Sequence, residues 1–220
     1  MIVTIDGPAG AGKSTVAKLL AKRLGYQYLD TGAMYRAVAW ALYDMQLELD
    51  DFAAVQRALA EIQLSMDDGR VLVNQKDVTD QLREPVVSQN ASRVATHGAV
   101  REKLVELQRK IAGQGRYVCE GRDQGTVVFP QARCKIFLTA DPVVRARRRW
   151  LEIQSSDSAF TLDQVVADQK DRDQRDENRE IGRLVKAEDA VEVDVSELDI
   201  EQVVDKIERL VRDRNGETET

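Results

Sequence analysis

The sequence has few of the residues on which many metalloenzymes and secreted proteins depend. It contains one histidine and two cysteines in 220 residues. The single histidine, His97, excludes any mechanism that needs two imidazoles, and we expect it to be an ordinary helix or loop residue. Cys119 and Cys134 lie in apolar, strand-like runs. They predict small core residues in a reducing compartment and give no pattern of a disulfide framework or a metal site.

Long apolar runs and an excess of positive charge are also missing. No apolar stretch approaches the ~20 residues of a membrane span. The first predicted strand begins at Ile2, so we expect no signal peptide and a cytoplasmic protein. With 32 basic and 38 acidic side chains, the formal net charge is −6. This balance does not support general binding to nucleic acids or membrane surfaces, so we expect small-molecule partners.

What the sequence does contain is a glycine-rich stretch with one lysine, GPAGAGKS, at residues 7–14. It follows an apolar, β-branched run and precedes a helical pattern, and it fits G-x-x-x-x-G-K-[ST], the P-loop. A turn that merely reverses the chain is the alternative, but the strand before and the helix after make it the weaker interpretation. In a P-loop the backbone N–H groups bind phosphate oxygens, the lysine reaches the β- and γ-phosphates, and the serine hydroxyl holds Mg²⁺. The predicted ATP-binding residues are Gly7, Pro8, Ala9, Gly10, Ala11, Gly12, Lys13, Ser14 and Thr15, with Ser14 as the metal ligand.

Predicted strands alternate with helices along the chain, which favours an α/β fold with a parallel sheet and right-handed crossovers. Ligands of such sheets bind beyond the carboxyl ends of the strands. Five strands are predicted, at residues 2–6, 26–29, 117–120, 135–139 and 190–195.

The connection between the second and third of these strands is too long for a simple crossover. Within it, residues 69–78 predict an antiparallel hairpin, and helical patterns flank the hairpin at 52–64 and 84–113. We expect an inserted region at about 47–95 that shares the core. A second, charge-rich segment at about 145–175 predicts a mobile helix–loop–helix cover. The remaining residues, 1–46, 96–144 and 176–220, form the predicted core of a single domain.

Three clusters of charged residues are predicted near the edge of the sheet that carries the P-loop. They favour a phosphate-bearing acceptor, because an anionic acceptor needs cations away from the P-loop. Each cluster has a simpler explanation: a helix cap for Thr31, a surface turn for Arg122 and Asp123, and a solvated helix face for the third cluster. The clusters are Thr31 with Arg36, Arg122 with Asp123, and Arg172 with Asp176 and Arg179.

Six stretches that follow one another in order cover nearly the whole chain: IDGPAGAGKST, LDTGAMYRAVA, VVSQNASRVAT with AVREKL, EGRDQGTVVFP, KIFLTADP with RARRR, and DQKDRDQRDENR. Together they resemble the bacterial-type cytidylate (CMP) kinases, a family of P-loop nucleoside monophosphate kinases. The stretch EGRDQGTVVFP is the most specific of them, whereas the P-loop is shared by many families. Two mild departures are Gln124, where methionine is frequent, and Thr31, where serine is common.

This resemblance implies the P-loop kinase fold, with an inserted monophosphate-binding domain and a short lid. It also implies ATP-dependent phosphorylation of CMP and dCMP with Mg²⁺, in a monomer. Catalytic roles fall to Lys13, Arg122 and Arg179. The arginines at 145–149 belong to the lid, where one or more reaches the transferring group. The implied CMP-binding residues are Thr31, Arg36, Arg122 and Arg179 for the phosphate, Ser92, Arg101 and Asp123 for cytosine, and Arg172 and Asp176 for the sugar.

Two other functions stay open on sequence grounds. One is another small-molecule P-loop kinase, of the shikimate or uridylate type. The other is a nucleotide-binding switch without phosphotransfer, although the acceptor-side arginines would then lack a purpose. CMP-dependent consumption of ATP separates the kinase from the switch.

Overall fold

The computed structural model of the chain describes residues 1–67, 69–113, 115–154 and 161–216. Its strands are β1 (Ile2–Asp6), β2 (Gln27–Asp30), β3 (Leu64–Asp67), β4 (Arg70–Val73), β5 (Lys76–Asp77), β6 (Tyr117–Gly121), β7 (Cys134–Thr139) and β8 (Val191–Asp194). Its α-helices are α1 (Lys13–Leu24), α2 (Thr31–Asp44), α3 (Phe52–Glu61), α4 (Pro85–Val94), α5 (Gly98–Ala112), α6 (Pro142–Gln154), α7 (Leu162–Glu177) and α8 (Ile200–Asn215).

The main sheet has five strands in the order β2-β6-β1-β7-β8, and the predicted parallel α/β fold is confirmed. All five predicted strands form, and each of their ends lies within one residue of its predicted position. The register places Ile5 opposite Glu120 and Asp6 opposite Gly121. Therefore the P-loop and the segment after β6 begin side by side at one edge of the sheet.

The face of this sheet that carries Val3 and Ile5 is apolar, whereas the alternating positions of the same strands include the buried polar residues Thr4, Asp6 and Lys135. Val3 and Ile5 of β1 are fully buried, and helices α1 and α8 pack in the same hydrophobic core. The buried residues of α8 recur at helical spacing, so that helix presents one apolar face: Val203, Val204, Ile207 and Val211. Cys119 and Cys134 are buried in β6 and β7, as predicted for small core residues.

Internal contacts divide the chain into two compact units. The first unit comprises Met1–Leu29 and the chain from Ala112 onward, and the second unit comprises Asp30–Ile111. The second unit contains the segment 47–95 that was predicted as an insert, and extends beyond it at both ends. The assignment of that segment to monophosphate binding stays a prediction.

The second unit combines helices with a small antiparallel sheet. The predicted hairpin forms from β4 and β5, and β3 adds a third strand in the order β3-β4-β5. The helical pattern at 84–113 forms two helices, α4 and α5, because the chain turns after Val94 and restarts at Gly98. His97 lies in this turn, where its ring stacks on Phe52 with the centroids 4.3 Å apart.

Helices α6 and α7 form the predicted helical pair in the charge-rich segment. The loop predicted between them includes residues 155–160, which lie outside the described residues. Helix α7 begins with a capping box, in which Thr161 and Gln164 satisfy each other's backbone N–H groups. Among the described residues, no helix combines the length and the apolar composition that crossing a bilayer requires.

Candidate active site

The P-loop joins β1 to α1 through glycines that no other residue can replace without strain. A Cβ atom on Gly7 would lie 2.0 Å from the carbonyl oxygen of Leu138, and Gly12 has a φ of +84°. Gly12 also stands at the N-cap of α1, where no side chain accepts from the first turn. The loop therefore leaves the N-terminus of α1 open to an anion, as the motif predicts.

Lys13 lies at the start of α1 with 5% of its surface exposed. Its Nζ donates to the carbonyl oxygen of Pro8 at 2.7 Å. Burial lowers the pKa of Lys13 to about 7, and Arg122 adds to the effect by repulsion, while Glu120 opposes it. A buried ammonium with a lowered pKa gains much from an anionic ligand, because the ligand's charge would favour its protonated form.

A hydroxyl and a carboxylate lie together behind the P-loop. The Ser14 hydroxyl donates to Oε1 of Glu120 at 2.5 Å, and the Tyr28 hydroxyl donates to the same oxygen at 3.1 Å. Hydroxyl and carboxylate oxygens are ligands that Mg²⁺ prefers, so these two residues fit a magnesium ion. Sequence analysis did not assign Glu120 a role, although a carboxylate at the end of a parallel strand is a usable signal.

Three arginines surround one buried carboxylate, and these residues form the acceptor-side cluster: Arg122, Arg172, Asp176 and Arg179. Asp176 is 1% exposed. It accepts from Nε of Arg122 at 2.7 Å and from Nη2 of Arg179. Burial alone would raise the pKa of Asp176, but the attraction of Arg122, Arg179 and Arg172 holds this pKa below its usual range.

Two simpler explanations for the charged clusters are therefore wrong. Asp176 on α7 and Arg179, which follows the end of that helix, are both buried, so they do not form a solvated helix face of ion pairs. Asp123 is only 3% exposed, so Arg122 and Asp123 do not form a surface turn. The cluster contains three arginines and one carboxylate, and Glu120 and Asp173 also attract Arg122 and raise its pKa. The guanidinium groups are therefore kept charged and oriented, which suits the binding of phosphate.

The chain after Asp123 forms a one-turn π-helix at Gln124–Val128, which sequence analysis did not predict. Asp6 at the end of β1 accepts from both of the first two amides of this turn, Gln124 N at 2.8 Å and Gly125 N at 2.7 Å. Burial raises the pKa of Asp6 to about 7 against the effect of these two hydrogen bonds. Asp6 thus fixes the segment that carries Arg122 and Asp123, a role that sequence analysis missed.

The second unit holds the other predicted acceptor residues. Asp30 caps α2 by accepting from Ala33 N at 2.8 Å, so Thr31 is not the cap of that helix. Arg36 pairs with the same Asp30 at 3.2 Å, which brings Thr31 and Arg36 to the first turns of one helix. Thr31 is 2% exposed.

Ser92 and Arg101 are buried on α4 and α5 of this unit, each 3% exposed. Among the described residues, the Ser92 hydroxyl has no hydrogen-bond partner. A buried hydroxyl without a partner is costly, so a ligand atom is a reasonable explanation for it. The guanidinium of Arg101 lies over the ring of Tyr35, 5.9 Å from the centroid.

The arginines of the predicted lid have different surroundings. Arg145 is buried at 7% exposure and bonds within the first unit. Arg148 donates to the carbonyl oxygen of Val195 at 2.8 Å, and Arg149 pairs with Glu152 at 3.1 Å on the surface. The assignment of one of them to the transferring group stays a prediction.

Comparison with solved structures supports the fold. The chain matches shikimate kinase from Bacteroides thetaiotaomicron with a TM-score of 0.52 and 12% sequence identity, over 96% of this chain and 98% of that one. At this level of identity, the likeness concerns the fold alone.

Comparison of sequences identifies the family. The chain is 46% identical to a cytidylate kinase of Carboxydothermus hydrogenoformans, over 98% of this chain and 99% of the relative. It is 44% identical to one of Desulfitobacterium hafniense, over 96% of this chain and 93% of the relative. The cytidylate kinase family model matches residues 3–213, and the chain therefore belongs to the cytidylate kinase family.

Proposed function

We propose that this protein transfers the γ-phosphoryl group of ATP to CMP and dCMP, forming CDP and dCDP. The observation that carries the proposal is the acceptor-side cluster beside the buried Lys13. Phosphoryl transfer requires alignment of donor and acceptor and neutralisation of charge, and this group of cations supplies both. We further propose that the protein acts in the cytoplasm as a monomer.

On the donor side, the P-loop residues 7–15 would form the binding site for the phosphates of ATP, in which Ala9 shapes the loop while its N–H donates to Asp173. Lys13 would bind the β- and γ-phosphates, and it would release the carbonyl oxygen of Pro8 to do so. Ser14 would hold Mg²⁺ with Glu120 beside it. When bound, the metal ion would neutralise charge on the phosphates.

On the acceptor side, Arg122 and Arg179 would bind the phosphate of CMP, together with Thr31 and Arg36 of the second unit. Arg122 and Arg179 are held by opposite oxygens of Asp176, so their guanidinium groups are oriented before the ligand arrives. Such preorganisation lowers the cost of binding a phosphate and favours its developing transition state. Arg122, Arg179 and Lys13 are therefore the proposed catalytic residues.

The cytosine base would be recognised by Asp123, Ser92 and Arg101. Cytosine offers an amino donor at N4 and acceptors at N3 and O2, and a carboxylate next to hydroxyl and guanidinium donors is complementary to this pattern. Uracil presents a carbonyl oxygen at position 4, which a carboxylate would repel. The sugar would be held by Arg172 and by Asp176, which already binds the two phosphate-binding arginines.

The chemistry needs no general base. A phosphate oxygen of CMP is the nucleophile and is already ionised at pH 7, so the attacking group has no proton to lose. The protein has only one histidine, and His97 stacks on Phe52 in the second unit. The residues around Lys13 and Asp176 are arginines and carboxylates that bind and orient, which matches this requirement.

The family membership does not favour a shikimate- or uridylate-type kinase. A nucleotide switch is also not favoured, since a switch has no use for buried acceptor-side arginines.

A coupled assay with ATP and a panel of acceptors tests the proposal. We expect rapid ATP consumption with CMP and dCMP, slower consumption with UMP, and none with shikimate. Arg122→Gln removes one phosphate-binding cation and serves as the matched variant, which should lose turnover with every monophosphate. Turnover without CMP, or a preference for UMP, would contradict the proposal.

A further inference from the structure

Two side chains from helices α6 and α7 occupy both backbone polar groups of one P-loop residue, Ala9. The N–H of Ala9 donates to Oδ1 of Asp173 at 3.2 Å. The carbonyl oxygen of Ala9 accepts from Nη1 of Arg145 at 2.8 Å. Asp173 and Arg145 also bind each other, Nη1 to Oδ2 at 2.6 Å. We call these three residues the Ala9 bracket.

The bracket is anchored at further points within the first unit. Nε of Arg145 donates to the carbonyl oxygen of Ala140, directly after β7, at 3.1 Å. The backbone oxygen of Arg145 and the side chain of Gln169 cover Gly10, where a Cβ atom would lie 2.6 Å from Nε2 of Gln169. The P-loop is therefore held from outside by the α6–α7 pair, in addition to its links to β1 and α1.

The Ala9 bracket is not the arrangement that would stabilise the fold most. Arg145 and Asp173 are nearly buried, with side-chain exposures of 9% and 12%. A buried ion pair loses hydration energy, and an apolar pair of similar size is often as stable or more stable. What an ion pair with backbone partners supplies is a defined geometry, because each charged group has fixed partners in fixed directions.

The same helix that holds the P-loop also holds the acceptor-side cluster. Asp173 and Asp176 are three positions apart on α7, so they lie on neighbouring turns of one face. Asp173 binds the P-loop, and Asp176 binds Arg122 and Arg179. One rigid helix therefore connects the donor-binding loop to the arginines proposed to bind the acceptor phosphate.

We propose that Asp173, oriented by Arg145, is a positioning residue for phosphoryl transfer, which rests on the proposed CMP kinase activity. Asp173 touches no reacting atom in this role. It fixes the P-loop at Ala9 to α7 and thereby sets the separation between the donor phosphate and the acceptor-side cluster. Arg145 acts through Asp173 and Ala9, to which its Nη1 donates, while its Nε donates to Ala140.

The test compares Asp173→Asn with the wild type in three measurements. These are kcat with saturating ATP and CMP, the Kd of each nucleotide by calorimetry, and exchange of the Ala9 amide hydrogen by NMR. We expect kcat to fall about 100-fold, the loss that a misplacement of about 1 Å causes. We expect both Kd values to change little and the Ala9 amide to exchange faster.

Asp171→Asn is the matched control. It makes the same substitution at an exposed position of the same helix, α7. Equal kcat in the two variants would overturn the proposal, and so would a Kd change for ATP with kcat preserved. If Asp173→Asn does not fold, the same measurements are made on Arg145→Lys. Lysine keeps the positive charge but lacks the guanidinium N–H groups that bind Ala9, Ala140 and Asp173 together. A wild type without CMP kinase activity would overturn the proposed function and this inference together, whereas an active wild type with a normal Asp173→Asn would overturn only the inference.

Discussion

The ammonium group of Lys13 lies where burial and Arg122 disfavour its charge, with a pKa lowered to about 7. A bound triphosphate would raise this pKa again, because an opposite charge favours the protonated form. We therefore expect ATP binding to take up protons above pH 7, approaching one proton per site near pH 8, and the affinity for ATP to fall as the pH rises. Calorimetry in buffers with different ionisation enthalpies measures this uptake.

Lys13→Arg is the control for that experiment, because an arginine stays protonated over the whole range. The protons that ATP itself gains or loses on binding are the same for both proteins, so they cancel when the proton uptake of one protein is subtracted from that of the other. Equal proton uptake by the two proteins would show that Lys13 is already charged in the empty site.

Asp123 is the residue whose proposed role most directly sets the choice of base. If it accepts from the amino group of cytosine, Asp123→Asn should lower kcat/KM for CMP, since a broken buried hydrogen bond costs ~1–3 kcal/mol. The new amide donor would meet the carbonyl oxygen of uracil, so the CMP/UMP ratio should fall by roughly tenfold or more. The ratio is independent of the folded fraction, and an unchanged ratio would argue against this assignment.

The π-helix at Gln124–Val128 is an element held in place by a carboxyl group with an unusual pKa. Asp6 has a pKa raised to about 7, chiefly by burial, against a usual value of 3.8. A raised pKa in the folded state stabilises the protein at low pH, and this contribution is lost as the pH rises from about 4 to about 7. Ionisation of Asp6 near neutral pH therefore lowers the stability of the folded protein. The ionised carboxylate has two oxygens that accept hydrogen bonds from the π-helix.

Asp6→Asn separates these two effects, because asparagine does not titrate. At pH 5 Asp6 is protonated and, like asparagine, has one carbonyl oxygen for the two amides, so the two proteins should have similar stability there. The stability of the wild type relative to the variant should fall by roughly 3 kcal/mol between pH 5 and pH 8. Urea unfolding of both proteins at the two values measures this difference, and a constant difference would mean that Asp6 does not titrate in this range.

The elements that could be predicted from sequence are those with local signals. Periodic apolar residues gave the five strands, and the glycine pattern gave the P-loop with Lys13 at its end. The π-helix was not predictable, because Asp6 holds it from 118 positions away. The contact between Asp176 and Arg122 was not predictable for the same reason, because Arg122 lies 54 positions away on another element.

For the whole molecule, a negative net charge does not exclude an anion-binding site. The chain has a formal net charge of −6, yet Lys13 and the three arginines of the acceptor-side cluster are held close to one another in the first unit. An anion that binds these cations only in the folded protein should stabilise the whole fold by mass action.

We therefore expect CMP and ATP each to raise the Tm of the protein. A ligand at 100 times its Kd adds about 2.7 kcal/mol, which for a chain of this size corresponds to roughly 5–10 °C. Sulfate should raise the Tm more than chloride at equal ionic strength, because it can occupy the phosphate positions. Arg122→Gln is the decisive comparison in differential scanning fluorimetry. The variant should lose most of the shift with CMP and keep the shift with ATP, since Lys13 and the P-loop backbone are intact. If CMP raises the Tm of Arg122→Gln as much as that of the wild type, Arg122 does not bind the acceptor. If neither CMP nor ATP raises the Tm of the variant, the donor and the acceptor bind the same set of cations.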